Sequence, residues 1–191
     1  MSEILVIGDT CKDIYVYGSC DRLCPDYPVP SFIPSHEKQS LGMAGNVYQN
    51  ILSLGARATL KTNSTVIEKT RYVDKKTNHM FLRVDSGEEK VQRVKGLTKD
   101  FLSKFKLIII NNPSINDKII QTLAGKGCKM ADKHFHVEKV EIKDSCGAGD
   151  TFLAALCFKY LDCLKITHSI VFANKCATQV VQQRGVNVIK K

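Results

Sequence analysis

The stretch that most constrains this chain is a short glycine turn, residues 147–150, with the sequence Gly-Ala-Gly-Asp. It follows a segment of alternating polarity, residues 137–142, and precedes an apolar-rich run, residues 151–164. That order predicts a strand, a tight turn and a buried helix. The first N–H groups of such a helix lack partners and lie at the positive end of its dipole. We therefore predict an anion site made by the backbone amides of Gly147, Ala148 and Gly149.

Asp150 follows these glycines and is expected in the first turn of the helix, beside the anion site. A carboxylate there can take a proton from a hydroxyl while the amides hold the charge that grows on a phosphoryl group. The same residues also fit an ordinary helix start, in which glycine makes the turn and the acid complements the helix dipole. The turn by itself leaves both interpretations open.

A second polar cluster follows the first predicted strand, residues 4–7, which ends at Gly8 and Asp9. Open α/β sheets bind their ligands beyond the carboxyl ends of their strands. Asp9 and Asp13 are therefore placed to accept hydrogen bonds from sugar hydroxyls. Turn acids after a strand would produce the same pattern, so this cluster has a purely structural alternative as well.

The other predicted elements include short strands and two further helices. Residues 15–18 and 29–33 are predicted strands on either side of a Pro-rich link, and residues 186–189 are the last predicted strand. One helix, residues 47–54, would follow an N-cap-like Asn46 and end at Gly55. The other, residues 167–183, would end at Gly185 and turn an apolar face that includes Val171 towards the core.

Length and composition favour one soluble globular domain of 191 residues, with 43% hydrophobic and 25% charged residues. The amino terminus lacks the basic stretch of a signal peptide, and no apolar run approaches a membrane span. The eight cysteines contain no Cys-x-x-Cys pair, so a zinc site is not expected. We expect free thiols and a cytoplasmic location, because disulfides form in oxidising compartments.

The net charge of +9 allows a nucleic-acid partner in principle. However, the basic residues are not interleaved with stacking aromatic residues, and no nucleic-acid-binding motif is present. A basic surface also suits small phosphorylated ligands. We therefore expect neither a nucleic-acid partner nor a membrane partner.

The segment 144–150, Asp-Ser-Cys-Gly-Ala-Gly-Asp, resembles the Asp-Thr-x-Gly-Ala-Gly-Asp signature of the ribokinase-like (PfkB) carbohydrate kinases, with Ser145 in place of Thr. Residues 8–18 and 21–30 resemble the Gly-Asp-x3-Asp-x-Tyr run and the Arg-containing, Pro-rich segment of the heptose 7-phosphate kinase branch. Residues 41–46 resemble the Gly-Gly-Ala-x-Asn motif of the same family, with Met43 in place of the second glycine.

The resemblance implies a ribokinase-like three-layer α/β/α sandwich with a Rossmann-like sheet. It would form a single kinase domain over residues 1–191, with small β-lid elements at about 14–37 and 65–85. The implied activity is ATP-dependent phosphoryl transfer to a sugar or sugar-phosphate hydroxyl, most like the 1-phosphorylation of heptose 7-phosphate in ADP-heptose synthesis. Magnesium would bridge the ATP phosphates. The implied partners are a sugar-phosphate substrate and a second copy bound through the lid.

Specific site residues follow from the resemblance. Asp150 would be the catalytic base, and the Gly147–Gly149 amides would bind the transferring phosphate. Two further positions would contact the nucleotide: Gly127, in a segment that resembles the family's Thr-Leu-Gly-x-Lys-Gly, and Asn174, in an Ala-Asn-x-x-Ala run. The implied sugar-binding residues are Asp9, Asp13, Arg22, Gly42 and Asn46. No residue is assigned to a metal.

The chain departs from the family in its middle. The Asn-x-x-Glu motif that complete members use near magnesium is absent, and Asn112 stands in place of an acid. The segments after Leu60 and Asn111 are also shorter than in complete members. These departures leave a second interpretation open: a sugar-phosphate and nucleotide-binding protein, derived from such a kinase, with impaired turnover.

Overall fold

A computed structural model describes residues 4–91, 94–111 and 120–190 of the chain. The strands in chain order are β1 (Ile4–Gly8), β2 (Thr10–Leu23), β3 (Pro30–Met43), β4 (Ala58–Lys61), β5 (Ile67–Asp74), β6 (Met80–Ser86), β7 (Leu107–Asn111), β8 (Ile120–Thr122), β9 (Cys128–Met130) and β10 (Lys133–Phe135). The helices are α1 (Ala44–Ser53), α2 (Lys99–Leu102), α3 (Ala148–Cys163) and α4 (Ile166–Val180). Within these ranges no helix is long and apolar enough to cross a membrane.

A parallel three-stranded sheet in the order β4-β1-β7 forms the centre of the fold. Strand β1 is hydrogen-bonded on both sides, and the side chains of Ile4, Leu5 and Val6 are fully buried. A strand that is covered on both faces is apolar throughout rather than alternating, as this one is. Helices α1 and α3 pack on one face of the sheet, where Ile4, Val47 and Ala154 belong to one hydrophobic cluster.

The second sheet has four strands in the order β3-β2-β5-β6 and contains the segments predicted as the lid. The sequence predicted two short strands, residues 15–18 and 29–33, on either side of a Pro-rich link. This prediction was wrong in length, because β2 and β3 are 14 residues each and pair along most of their course. Pairing with each other, and of β2 with β5 on its other side, holds these strands extended well beyond their apolar residues.

Two predicted strands near the site are absent from the described structure. Residues 137–142 form no ladder, since their partly buried members, Val137 and Val140, lie three apart and Ile142 is 55% exposed. The segment 186–189 is also not a strand. Its last residue is instead held by side chains of α1, as Ile189 donates its N–H to Asn50 and accepts a hydrogen bond from Ser53.

The helices begin and end close to the predicted positions, with informative differences. Helix α1 begins at Ala44, so Asn46 lies inside the first turn and is not the N-cap that the sequence predicted. Helix α4 ends at Val180, before Gly185, the predicted stop. Its Val171 is exposed although it was predicted to face the core, whereas Ile170 and Ala173 of the same helix are buried against α3.

Two adjacent residues of β7 should differ sharply in how much they contribute to the stability of the fold. Ile109 is 4% exposed and packs with the cluster under α3, whereas Ile110 is 58% exposed on the opposite face. We expect Ile109→Ala to lower the free energy of unfolding in urea by about 2–4 kcal/mol, because it leaves a cavity. Ile110→Ala serves as the matched control and should change it by less than about 0.5 kcal/mol. Equal losses would show that the two faces of β7 are not distinguished in this way.

Candidate active site

The glycine turn forms the predicted helix start. Gly147 is the N-cap of α3 with a φ of 77°, and Asp150 is the third residue of the helix. A side chain at Gly147 would place its Cβ 2.6 Å from the side-chain nitrogen Nδ2 of Asn46. The positive φ of Gly147 also favours glycine at this position. The sequence correctly placed Asp150 in the first turn, next to the amides that open the helix.

The backbone amides at this helix start are not equivalent. The N–H of Ala148 donates to the carbonyl of Ser145 at 3.3 Å, and the N–H of Thr151 donates to Gly147 at 2.9 Å. The N–H of Gly149 has no acceptor among the described residues. Gly149 also lines the cavity described below, and a Cβ added there would meet no atom within 4 Å. Gly149 therefore offers the clearest donor for an anion.

Asp144 holds the turn to the carboxyl-terminal segment. One of its carboxylate oxygens accepts the N–H of Cys146 at 2.9 Å, and the other accepts the N–H of Gly185 at 3.0 Å. Burial and the nearby Asp144 charge raise the pKa of Cys146, so its thiol stays protonated at neutral pH. The sequence included Asp144 in the motif but did not predict this bridge, since Gly185 is distant along the chain.

Asn46 belongs to the first turn of α1 and contacts the glycine turn at the start of α3. Its side-chain nitrogen is 3.3 Å from the carbonyl oxygen of Gly147 and 3.4 Å from a carboxylate oxygen of Asp150. The residue is 1% exposed. The structure therefore places the side chain of Asn46 next to Asp150, the predicted base. The predicted contact of Asn46 with a sugar stays a prediction.

Asp13 and Gly42 lie together at the base of the lid sheet. Asp13 is buried and forms an ion pair with Arg71 of β5, while the thiol of Cys11 lies 3.8 Å from its other oxygen. A Cβ at Gly42 would collide with this carboxylate, so only glycine leaves room for it. Burial alone would lower the pKa of the Arg71 guanidinium, but the hydrogen bond to Asp13 and the electrostatic attraction of the surrounding acidic groups together raise it.

Sequence reasoning missed Arg71, because a single arginine in a strand carries no motif. The available signal was its place in β5, which pairs with β2 so that Arg71 stands opposite Tyr15. The guanidinium lies 5.0 Å from the centre of the Tyr15 ring. Burial, reinforced by Cys146 and the Asp144 charge, raises the pKa of the Tyr15 phenol, which remains neutral.

The other two predicted sugar-binding residues are placed differently. Asp9 lies between β1 and β2, and its carbonyl accepts the N–H of Ala44 at 3.0 Å, at the start of α1. Arg22 is exposed near the end of β2 and pairs with Ser31. Nine residues of extended chain, about 30 Å, separate Arg22 from Asp13. The structure therefore does not bring Arg22 together with the other predicted residues.

A cavity of about 610 Å³ opens beside the glycine turn. Four residues predicted to contact ATP lie on its wall: Gly127, Ala148, Gly149 and Asn174. The side-chain nitrogen of Asn174 donates to the carbonyl of Phe135 at 3.0 Å, and Gly127 also packs against that carbonyl. Asn174 thus ties helix α4 to the end of strand β10. The volume falls within the range typical of small-molecule sites.

The donor set does not fit a magnesium site held by the protein. Across the described ranges, no group of three or more His, Cys, Asp or Glu side chains is close enough to bind a metal ion. Asn112, which replaces an acid of the family, lies outside the described residues. The Asn-x-x-Glu motif is absent from the sequence. We therefore assign no metal ligands and derive no step from a protein-bound magnesium ion.

Gly149 provides a test of the anion site. A methyl group at Gly149 meets no atom, and alanine favours a helix over glycine by about 1 kcal/mol, so Gly149→Ala should fold with equal or higher Tm. It should nevertheless weaken binding of ATP at least about tenfold, because a methyl group on this part of the cavity wall obstructs a phosphate that approaches the amide. Titration calorimetry gives the affinity.

Gly125→Ala is the matched control, since Gly125 lines the same cavity away from the turn and a Cβ there makes only an ordinary contact with Ile142. ATP affinity that is unchanged in Gly149→Ala would remove this amide from the site.

Comparison with known proteins identifies the carboxyl-terminal half directly. Residues 104–190 match the sequence pattern of the pfkB family carbohydrate kinases. The bifunctional protein HldE of Helicobacter acinonychis is 30% identical over 179 residues, covering 71% of this chain and 36% of that protein. The HldE of Campylobacter curvus is 50% identical over 58 residues, covering 30% of this chain and 12% of that protein. This chain spans about a third or less of these curated relatives.

The longer alignment also supports the predicted shortening. Since 71% of this chain amounts to fewer than 179 residues, the alignment leaves gaps opposite residues of the Helicobacter acinonychis protein. This chain therefore lacks residues that the relative has within the matched region.

Solved structures confirm the predicted ribokinase-like α/β fold. Ribokinase from Thermotoga maritima superposes with a TM-score of 0.70 at 14% identity, covering 97% of this chain and 95% of that one. Ribokinase from Arabidopsis thaliana, solved with ribose and ATP, gives a TM-score of 0.68 at 12% identity, covering 100% and 96%. The fold, the glycine turn with its aspartate and the sequence match agree, and residues 104–190 are those of a pfkB family carbohydrate kinase.

Proposed function

We propose that this protein transfers a phosphoryl group from ATP to a hydroxyl of a sugar phosphate, most like the 1-phosphorylation of heptose 7-phosphate in ADP-heptose synthesis. The observation that carries the proposal is that Asp150 and the N–H of Gly149 lie in the same helical turn, at the edge of the 610 Å³ cavity. This N–H has no acceptor among the described residues. The similarity to HldE proteins supports the heptose phosphate as substrate.

The chain's own residues perform two tasks in this reaction. Asp150 accepts the proton of the attacking hydroxyl, as a positioned general base does. The N–H groups and the positive dipole end of α3 stabilise the negative charge of the transferring group. ATP supplies the phosphoryl group, and its nucleoside part occupies the cavity between Gly127 and Asn174. Phosphoryl transfer depends mainly on such positioning and charge stabilisation.

The lid supplies the sugar end of the proposed site. Asp13, fixed by Arg71, accepts hydrogen bonds from sugar hydroxyls. Lys69 stands opposite Asp13 and Arg83 stands opposite Arg71, so these basic side chains share one face of the sheet. Lys69 and Arg83 are themselves paired with acids, Glu88 and Asp85, so the preference for a phosphorylated sugar is supported by the similarity to HldE proteins and not by the charge of this face. In this proposal residues 1–191 form one kinase domain, and the four-stranded sheet is its lid.

A reducing, cytoplasmic location is part of the proposal. The cysteines of the described structure are all free, as expected where thiols remain reduced. Burial raises the pKa of Cys11 and of Cys157 to about 12, so these two thiols are inert at neutral pH.

Two aspartate variants separate the two ends of the site. Asp150→Asn should lower kcat by about 10²–10⁴ while sugar-phosphate affinity changes little, because a general base acts as the proton leaves.

Asp13→Ala should weaken sugar-phosphate binding by about 1.5–3 kcal/mol, the usual value of a charge-assisted hydrogen bond, with nucleotide affinity nearly unchanged. An ADP-release assay over a panel of heptose and hexose phosphates gives kcat, and calorimetry gives both affinities.

Wild-type kcat in Asp150→Asn would reduce that aspartate to a first-turn helix charge. Equal sugar-phosphate affinity in Asp13→Ala and the wild type would exclude Asp13 from the site.

We also propose that two copies associate through the lid. Strand β6 is an edge of the four-stranded sheet, and its Leu82 and Val84 are exposed apolar side chains on one face. Exposed apolar patches of this kind mark interaction surfaces. We expect sedimentation to give the mass of a dimer for the wild type and of a monomer for Leu82→Glu. Leu52→Glu, on the exposed side of α1, is the matched control and should remain dimeric. A monomeric wild type at micromolar concentration contradicts this part of the proposal.

A second function has a specific observation in its favour. The missing Asn-x-x-Glu motif and the lack of a metal-binding group in the described residues favour a protein that binds sugar phosphate and nucleotide with little turnover. The ADP-release assay separates the two functions. A kcat on the order of 1 s⁻¹ or above supports the kinase. Binding by calorimetry without ADP release supports the binding protein.

A further inference from the structure

We infer that Asn50, oriented by the backbone N–H of Ile189, is a positioning residue that makes Asn46 donate its amide to Asp150. These groups form a buried row that runs from the carboxyl-terminal segment through α1 to the first turn of α3. The inference rests on the proposed role of Asp150 as the base. It assigns to two asparagines the task of keeping that carboxylate ionised and in one orientation.

The first hydrogen bond in the row has a fixed direction, because its donor is a backbone N–H. The backbone N–H of Ile189 lies 3.0 Å from the side-chain oxygen of Asn50. A backbone N–H only donates, so the amide of Asn50 must turn its oxygen towards Ile189 and its NH2 group away. Asn50 is fully buried, so water cannot take the place of this partner.

The second step transmits this direction to Asn46, one helical turn earlier. The side-chain nitrogen of Asn50 donates to the side-chain oxygen of Asn46 at 3.0 Å and to its backbone carbonyl at 2.9 Å. The amide oxygen of Asn46 therefore faces Asn50, and its NH2 group faces α3. The spacing of four residues is what brings the two side chains together on one helix face.

The third step delivers the donor to the site. The NH2 group of Asn46 meets two acceptors, the carbonyl of Gly147 and the carboxylate of Asp150. The reverse orientation would set the amide oxygen of Asn46 against both of these oxygens and its NH2 group against the NH2 group of Asn50. Each amide of the row thus has a single orientation that satisfies its neighbours, and this orientation originates from Ile189.

The row has a chemical consequence for the base. A hydrogen bond to a carboxylate favours its charged form, and the effect is stronger where the surroundings are buried. The same contact restrains the carboxylate beside the helix start, where a hydroxyl would approach. The distances of 3.3 and 3.4 Å are long, as contacts at such sites often are before substrate binds.

The test measures Asp150 directly in the protein without ligands. Carbon-13 NMR follows the carboxyl resonance of Asp150 with pH, and Asp150→Asn identifies the resonance by its loss. We expect the midpoint of this titration to lie at higher pH in Asn50→Leu than in the wild type. The other titratable groups around the turn, Asp144, Cys146, Asp13, Tyr15 and Arg71, are unchanged in this variant. An unchanged midpoint in a folded Asn50→Leu protein overturns the inference.

Ser53→Ala is the matched control. Ser53 donates to the carbonyl of Ile189 at 2.8 Å and so anchors the same segment to α1, but it does not belong to the amide row. Its Asp150 titration should match the wild type. A shift as large as that in Asn50→Leu would mean that loosening the carboxyl-terminal segment, and not the direction of the amides, moves the titration.

A second measurement needs no variant in the row. In the wild type, the side-chain NH2 resonances of Asn46 should shift with pH at the same midpoint as the Asp150 carboxyl. Resonances that do not move through this titration overturn the inference even if Asn50→Leu does not fold. Turnover is measured separately. Absence of ADP release rejects the kinase but leaves the NMR result intact. With turnover, Asn50→Leu should lower kcat about tenfold with KM little changed.

Discussion

The site depends on the contact between the first turns of α1 and α3, which the buried side chain of Asn46 makes. That contact fixes where the glycine turn lies relative to the central sheet, because α1 is itself tied to the sheet. The carbonyl of Asp9 accepts the first N–H of α1, and Ile51 packs with Ile4 in the core. A change at the end of β1 is therefore transmitted to the anion site through one helix.

The lid is joined to the same turn by a second buried interaction. The Asp13–Arg71 pair lies under the sheet, and the ring of Tyr15 packs with Val186 and Cys146 beside the glycine turn. Removing one member of a buried ion pair typically costs about 3–5 kcal/mol, because the other charge remains without a partner. This cost exceeds that of most surface changes. The conformation of this end of the four-stranded sheet is thus coupled energetically to the Asp13 carboxylate, and Gly42 is required because it leaves the space that this carboxylate occupies.

The parts of the structure that the sequence predicted are those encoded within a few consecutive residues. Strand β1 and the start of α3 are of this kind, because apolar runs and a glycine turn act locally. The strands predicted at 137–142 and 186–189 failed because a strand needs a partner, and partners are set by the whole fold. The placement of Asn46 and the importance of Arg71 were also beyond local patterns. Met43 is another example, because its backbone conformation was not predicted. It has a φ of 57°, which favours glycine, at the position where the family motif has glycine.

The reduced centre of the chain affects the two halves of the site unequally. Ile108 and Ile110 of β7 are exposed on the face of the sheet opposite α3, whereas Leu5 of β1 is buried on that face, so the described structure leaves this face open only towards the β7 edge. The contacts that hold the glycine turn do not include β7. They run from Asn50 and Asn46 of α1 and from Asp144 to Gly185, all within described residues. In the proposed kinase, the absence of the Asn-x-x-Glu motif would therefore lower charge neutralisation in the transition state more than it lowers binding at the glycine turn.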